Sequence, residues 1–285
     1  DDAVRNAWET WGTVVNDPEM VYGGQPYVLS TNFGEAPFPM FEDPPGCYLH
    51  RQASFITSFI TDQFPDLQAG EGYNFFEFPP IDEQHGNPLL IAGDLMGLFN
   101  DTPQSRAVAQ WLVTPQAQRI WAERGGYLAP NKRVDPGVYP NQLTAQIAEM
   151  LTQATAVRFD ASDLMPNAVN NDFWSGVVDF VSQPDSLDSI LEGIESTAED
   201  AYAGVALPEE AAEEAMAEEE VMSVEEVLAD FPTDIGGTVS VLVVWSGEEE
   251  ESFRAMLQPL LDHTGIELDY TATRDINAVL TTQVE

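Results

Sequence analysis

The sequence Gly237-Thr-Val-Ser-Val-Leu-Val-Val-Trp245 is an apolar, β-branched run, which is typical of a strand buried on both faces. Ser246 follows where it can cap a helix that carries acidic residues in its first turn. That helix is predicted to run to about His263 and to end at Thr264-Gly265. A second strand is predicted over Ile266–Thr273. Strand, helix and strand in this order predict the β-α-β opening of a parallel sheet, and therefore an α/β fold.

Upstream of this unit, one strand pattern and several helix patterns extend the same architecture. Leu89–Phe99 is predicted to be a buried strand that contains two glycines. Asn100-Asp-Thr-Pro103 supplies a helix cap and a first-turn proline, and helix patterns follow over Ser105–Val113 and Thr114–Arg124. Three further amphipathic helices are predicted, over Asn141–Thr155, Phe173–Val181 and Leu187–Tyr202.

Composition divides the chain into three regions. Residues 1–204 are mixed and rich in aromatic side chains, residues 205–233 are dominated by Ala and Glu, and residues 234–285 return to a globular pattern. The middle region has almost no apolar stripe, and its like charges repel one another. It is therefore predicted to be a flexible or partly helical linker between two modules.

The charge balance excludes some partners. The chain has 49 acidic and 10 basic residues, a formal net charge of −39, which repels nucleic acid and anionic lipid. The favoured interpretation is a strongly solvated acidic surface, as in proteins that work in salty water; the alternative is an acidic segment that binds a cationic partner. The longest apolar runs, such as Val239–Trp245, are too short to span a bilayer.

The sequence contains none of the common catalytic or nucleotide-binding motifs. It contains no dinucleotide or phosphate-binding glycine motif, no zinc-protease motif and no nucleophile elbow. The three histidines, His50, His85 and His263, are isolated from one another, and Cys47 has no partner for an intrachain disulfide. We therefore predict a protein that is not an enzyme and uses no cofactor or metal.

Aromatic and planar polar side chains offer a different chemistry, because aromatic faces stack on the C–H surfaces of sugars and planar polar groups bridge hydroxyls. Most aromatic side chains nevertheless serve the core, since a pocket uses few residues. The candidates for a ligand cleft are Phe55, Tyr73, Phe75, Phe76, Tyr127, Phe173 and Trp174, with Asp94, Asn131, Arg51 and Gln52.

Several linked motifs in residues 1–204 resemble the family 1 extracellular solute-binding proteins of ABC importers, and within them the branch that serves α-glucosides and related sugars. The resemblance extends over nearly two hundred residues. In chain order the motifs are Pro45-Gly-Cys-Tyr-Leu-His-Arg-Gln-Ala-Ser-Phe-Ile56, Gly93-Asp-Leu-Met-Gly-Leu-Phe-Asn-Asp-Thr-Pro103, Thr114-Pro-Gln-Ala-Gln-Arg-Ile-Trp121, Gly125-Gly-Tyr-Leu-Ala-Pro-Asn-Lys132, Arg158-Phe-Asp-Ala-Ser-Asp-Leu-Met-Pro166 and Phe173-Trp174.

Residues 234–285 resemble the mature start of the same family, so the order of the two parts is unusual. The favoured interpretation is a fragment across the junction of two tandem modules, because both ends of the sequence carry helical patterns. A circular permutation is the alternative. The resemblance implies a type II periplasmic-binding-protein-like fold of two lobes, here incomplete.

The resemblance also implies site residues. Phe55 stands where the family places an aromatic residue against the sugar, although that residue is usually Trp, and Trp174 stands where a Trp stacks on the sugar face. Asp94 follows a strand whose end faces the cleft, and Arg51 and Gln52 are expected to bind hydroxyl groups.

The implied function is capture of a carbohydrate, an α-glucoside or another oligosaccharide, and its delivery to the membrane permease subunits of an ABC importer. The location would be periplasmic or extracellular, with an anchor at the cell surface. Two alternatives stay open: the same fold binding a polyol, a glycerol phosphodiester or a peptide, and a glycan-active enzyme, which would need a paired acid and base that the spacing does not support.

Overall fold

The structure is a computed structural model, and it describes residues 2–82, 86–154, 156–204, 222–273, 276, 279 and 280. The helices are α1 (Asp2–Val15), α2 (Gly24–Ser30), α3 (Ile56–Gln63), α4 (Pro103–Leu112), α5 (Pro115–Ala122), α6 (Gln142–Gln153), α7 (Ala161–Leu164), α8 (Asn167–Ser182), α9 (Leu187–Ala201), α10 (Val224–Leu228) and α11 (Glu248–Thr264). The strands are β1 (Leu89–Ile91), β2 (Val157–Phe159), β3 (Thr238–Val243) and β4 (Glu267–Ala272).

The described residues form two compact units. Unit one takes those within 1–66, 84–92 and 156–214, and unit two takes those within 67–83, 93–155 and 215–285. Because these stretches alternate along the chain, neither unit is continuous in sequence.

Unit one is mainly helical. Its core holds the buried residues Trp8, Phe180 and Leu187, and the Trp8 ring meets the Phe180 ring edge-on with centroids 5.5 Å apart. Helices α8 and α9 pack closely, since a Cβ added to Gly176 would lie 2.7 Å from Cγ2 of Ile190. Strands β1 and β2 pair in parallel in this unit.

Unit two contains the predicted β-α-β unit. Strands β3 and β4 pair in parallel, with Thr238 opposite Glu267 and Val243 opposite Ala272, and α11 connects them. The prediction made from Gly237–Thr273 is therefore confirmed. The apolar side of α11 packs against α4 and α5, where Trp111, Leu257 and Leu260 are fully buried.

The start of α11 differs from the prediction in one detail. The residue at the cap is Gly247 rather than Ser246, and no side chain accepts a hydrogen bond there. Gly247 has φ 64°, in the left-handed region that glycine enters without strain. Four consecutive glutamates, Glu248 to Glu251, occupy the first turn and interact favourably with the positive end of the helix dipole. At the other end, Gly265 closes the helix as predicted, with φ 70°.

The predicted buried strand over Leu89–Phe99 is wrong beyond Ile91. Only Leu89–Ile91 pair with another strand, and residues 92–99 have no regular structure. Leu95, for example, is 82% exposed. The physical reason is that a strand needs a neighbour to bond its backbone, and none of the described residues pairs with 92–99; glycine inside such a run weakens it further.

The predicted helices are confirmed with shifts of a few residues, as α4, α5, α6, α8 and α9. Of the predicted linker, residues 205–221 lie outside the described residues. Residues 224–228 form α10, which has a capping box made by Ser223 and Glu226, and Leu228 is buried in the core of unit two. Within the described ranges, none of the helices is long and apolar enough to cross a membrane.

Candidate functional site

Three phenylalanine rings lie together at the surface of unit one. The Phe33 and Phe55 centroids are 6.0 Å apart, the Phe33 and Phe59 centroids 5.4 Å, and the Phe55 and Phe59 centroids 6.3 Å, all in edge-on geometry. Phe55 is 48% exposed, and Phe33 is exposed to a similar degree. We call Phe33, Phe55 and Phe59 the phenylalanine cluster. Two exposed rings that lie together in this way make this surface a candidate binding site.

Local structure explains why the cluster forms. Phe55 occupies the cap position before α3, and Phe59 follows one turn later on the same helix face. The Phe59 ring covers Gly34 so closely that a Cβ added there would lie 2.4 Å from the ring. The side chain of Asn32 accepts a hydrogen bond from the Gly34 amide at 2.9 Å, which fixes the turn that carries Phe33.

Arg51 and Gln52 lie just before the cluster in sequence, and both side chains are exposed. Oε1 of Gln52 accepts a hydrogen bond from the Ala53 amide at 2.9 Å, which holds that side chain close to the backbone. The neighbouring His50 is half-buried; burial lowers its pKa, so the ring is neutral at pH 7. Burial, together with the charge of Glu42, raises the pKa of the Cys47 thiol, the opposite of what a reactive thiolate requires.

Trp174 lies on α8, also in unit one, and is 55% exposed. Its sequence neighbour Phe173 packs the other way, edge-on to Trp8 with centroids 5.7 Å apart. Of the two predicted aromatic residues on this helix, the structure therefore places Phe173 against the core and Trp174 at the surface. Among the described residues, no ring contact joins Trp174 to the phenylalanine cluster.

Asp94 belongs to unit two and is exposed, in the stretch after β1 that has no regular structure. Its charge is one of three causes that raise the pKa of Tyr127, after burial of the phenol and the charge of Tyr139. The assignment of Phe55, Trp174, Asp94, Arg51 and Gln52 to one ligand site stays a prediction.

Two other candidates from the sequence serve the structure of unit two. The Tyr127 ring stacks on Trp121 with centroids 4.7 Å apart and 13° between the planes. Nδ2 of Asn131 donates to the Val113 carbonyl at 2.9 Å, and its Oδ1 accepts from the Arg133 amide. Tyr73 and Phe75 are half-buried, and Phe76 is exposed. Tyr127 and Asn131 are thus engaged in packing and loop geometry.

A shallow, open groove with a volume of about 500 Å³ lies in unit one between α1 and the start of α9. Arg5 and Asp188, which form an ion pair at 2.6 Å, line it together with Phe180. None of the five predicted site residues lines this groove. In the part of the chain that the structure describes, no group of three or more His, Cys, Asp or Glu side chains is placed to hold a metal ion.

The arrangement at the surface of unit one is suited to stacking rather than to reaction. Phe33, Phe55 and Trp174 present exposed rings, and Arg51 and Gln52, four and three residues before Phe55 in the sequence, carry donors and an acceptor. The sequence analysis missed Phe33 and Phe59. The spacing of Phe59 four residues after Phe55 indicates a shared helix face, whereas Phe33 carries no such signal because a loop brings it to α3.

Two known proteins match the chain at similar sequence identity. The chain is 41% identical over 196 residues to the osmoprotective compounds-binding protein GgtB of Synechocystis, a match over 68% of this chain and 45% of the relative. It is 42% identical over 192 residues to the alpha-glucosides-binding periplasmic protein AglE of Rhizobium meliloti, over 66% of this chain and 41% of the relative. The chain thus spans less than half the length of these curated relatives.

No protein-family model and no solved structure matches the chain. The two relatives match on about two thirds of its residues, at an identity that reflects common descent. Over that part, the chain is homologous to these two binding proteins, one of which is periplasmic by name, and this confirms the resemblance predicted from its motifs.

Proposed function

We propose that the protein to which these residues belong captures a carbohydrate, an α-glucoside or another oligosaccharide, as the solute-binding component of an ABC importer. The observation that carries this proposal is the 42% identity to an alpha-glucosides-binding periplasmic protein. The protein works in the periplasm or outside the cell and delivers its ligand to the permease subunits in the membrane.

The exposed rings supply the binding surface in this proposal. Phe55, supported by Phe33 and Phe59, and Trp174 stack on the apolar faces of sugar rings, while Arg51 and Gln52 bind hydroxyl groups through hydrogen bonds, some of them charge-assisted. The formal net charge of −39 disfavours anionic ligands and favours neutral ones such as sugars.

The relatives have the two-lobe α/β fold, whose lobes close on a ligand like a hinge. In our proposal residues 1–204 are the later part of one such module and residues 234–285 begin a second one. Of the linker expected over 205–233, α10 instead packs into the core of unit two through Leu228. A permuted single module is the alternative, and the packing of α11 against α4 and α5 within unit two is the observation that favours it.

A second candidate ligand is an osmoprotective compound, because the other relative binds such compounds by name at 41% identity. The acidic composition agrees with this, since 49 acidic against 10 basic residues suit a protein that works in salty water. An enzymatic role has no support from the relatives, both of which are named as binding proteins.

Isothermal titration calorimetry tests the proposal. The sample is a protein extended to the full length of the relatives, and it is titrated with neutral α-glucosides and with neutral osmolytes. We expect a dissociation constant of about a micromolar, which corresponds to roughly 8 kcal/mol, for at least one neutral ligand. The 285-residue chain is expected to bind the same ligand weakly. The proposal is contradicted if the pure protein hydrolyses a glycoside. It is also contradicted if the protein binds only an anionic solute, with micromolar affinity and full stoichiometry.

A further inference from the structure

The core of unit two is built by two parts of the chain that are far apart in sequence. Five of its twelve buried residues come from α4 and α5, and seven come from beyond residue 222. We call the side of α4 and α5 that carries the first set, together with Gln104 and Gln116, the α4–α5 face, and we call residues 222–273 the C-terminal segment. The α4–α5 face consists of Ala107, Val108, Trp111, Ala117 and Trp121, and the C-terminal segment contributes Leu228, Val239, Phe253, Met256, Leu257, Leu260 and Ile266.

Aromatic rings of α4 and α5 also contact aromatic rings of the C-terminal segment. The Trp121 ring on α5 meets the Trp245 ring edge-on with centroids 4.9 Å apart and the Phe253 ring at 6.2 Å. The Trp111 ring on α4 meets the Phe231 ring at 6.3 Å. Edge-on aromatic pairs add to the energy of apolar burial and require a specific geometry, so the α4–α5 face accepts the C-terminal segment in one register.

Directed hydrogen bonds fix that register, and in each of them the donor belongs to α4 or α5. Nε1 of Trp111 donates to the Met256 carbonyl at 2.8 Å in a fully buried position. Nε2 of Gln104 donates to the Gly236 carbonyl at 2.8 Å, and Nε2 of Gln116 donates to the Met222 carbonyl at 2.6 Å. Backbone carbonyls spread over the C-terminal segment are thus bonded by side chains of the α4–α5 face.

The covalent route between the two parts is long. From the end of α5 the chain passes through α6, then through α7, α8 and α9 of unit one, and then through the Ala- and Glu-rich residues 205–221 before Met222. No short turn holds the two parts together. Their association depends on side-chain packing and hydrogen bonds, as at an interface between two proteins.

We propose that the α4–α5 face is a docking surface for a β-α-β segment that need not be covalently attached, so that a second copy of this chain can supply the segment in place of the chain's own. The segment that occupies this surface is defined by the contacts already described. It presents the apolar face of a helix that connects two parallel strands, and its backbone carbonyls accept hydrogen bonds from Trp111, Gln104 and Gln116. This inference is independent of the proposed ligand.

The experiment uses the full chain with a protease recognition sequence inserted between Glu214 and Ala215 in the acidic run. Cut protein is prepared in normal and isotopically heavy form, and the two preparations are mixed, unfolded in urea and refolded together. Size-exclusion chromatography and native mass spectrometry then report which pieces associate. We expect both pieces to elute together with the 31.4 kDa mass of the chain plus the insert, and normal and heavy pieces to combine at random.

Separate elution of the pieces at micromolar concentration, or a C-terminal piece that stays unfolded beside a folded partner, overturns the proposal. Trp111→Phe gives a graded readout, because it keeps an aromatic ring but removes the buried hydrogen bond from Nε1 of Trp111 to the Met256 carbonyl. We expect it to weaken association of the cut pieces about tenfold. The matched control is Trp11→Phe on α1 of unit one, which leaves association unchanged.

Discussion

Replacing Leu257 by alanine tests whether the C-terminal segment is a structural part of unit two. Leu257 lies on α11, is 0% exposed, and belongs to the core that α4 and α5 share. Truncating a fully buried leucine removes its transfer free energy and leaves a cavity, a combined cost of about 2–5 kcal/mol. Because small domains are stable by only about 5–15 kcal/mol, we expect a large fraction of the stability of unit two to be lost.

The assay has to separate the two units, because a chain with two units need not unfold in one step. Hydrogen exchange measured by mass spectrometry on peptides from 103–122 reports α4 and α5, and peptides from 167–201 report α8 and α9. We expect Leu257→Ala to speed exchange in the first set about a hundredfold, which corresponds to roughly 3 kcal/mol, and to leave the second set unchanged.

The matched control is Gln258→Ala, one residue further along the same helix. Gln258 is exposed and bonds only Asp262 among the described residues, and exposed substitutions of this kind change stability by less than about 0.5 kcal/mol. If Leu257→Ala has as small an effect on α4 and α5 as Gln258→Ala, the shared core of unit two does not exist and our reasoning on the docking surface fails.

Three further predictions concern ligand affinity, salt and pH. In a preparation that binds sugar, Phe55→Ala is expected to raise the dissociation constant measured by calorimetry about tenfold through loss of stacking. Phe78→Ala, which alters a similarly exposed ring, should have no effect, and equal losses of affinity for the two variants contradict the site. Raising NaCl from about 0.1 M to 1 M shortens the screening length from about 10 Å to 3 Å. Because this weakens the repulsion among the acidic residues of a chain with a net charge of −39, the unfolding temperature should rise. A constant or falling unfolding temperature refutes the solvated-surface interpretation. Burial raises the pKa of Tyr127 above its ordinary value of 10.0. The stability that the protonated phenol contributes is therefore complete below pH 10 and is lost as the pH rises further. Urea titrations should show less alkaline destabilisation for Tyr127→Phe than for the parent chain.

The β-α-β unit was predictable because its signals are local. The β-branched run before Trp245, the four glutamates of the next helix and Gly265 each specify conformation within a few residues. Helices α4 and α5 were predictable for the same reason, since each begins with a capping threonine and a proline.

Features that depend on distant partners were not predictable. The run Leu89–Phe99 has the composition of a buried strand, but composition does not say whether a neighbouring strand is present, and residues 92–99 have none among the described residues. The periodicity of α11 identifies Leu257 and Leu260 as residues that will be buried, but not that α4 and α5 will bury them. Phe33 was missed because only the turn at Gly34 brings it to α3.

The alternation of the two units along the chain has a consequence for biosynthesis. Helices α4 and α5 leave the ribosome long before α11 and β4, which complete their core. At about 5–20 residues per second, the two tryptophans of the α4–α5 face wait on the order of 10 s for their partners. During that time the nascent chain exposes the apolar surface that its residues 222–273 later cover. A chaperone that binds the nascent chain at this stage therefore meets unit two before its core is complete. A ribosome that stalls within the acidic run releases a product that lacks the C-terminal segment of its own core.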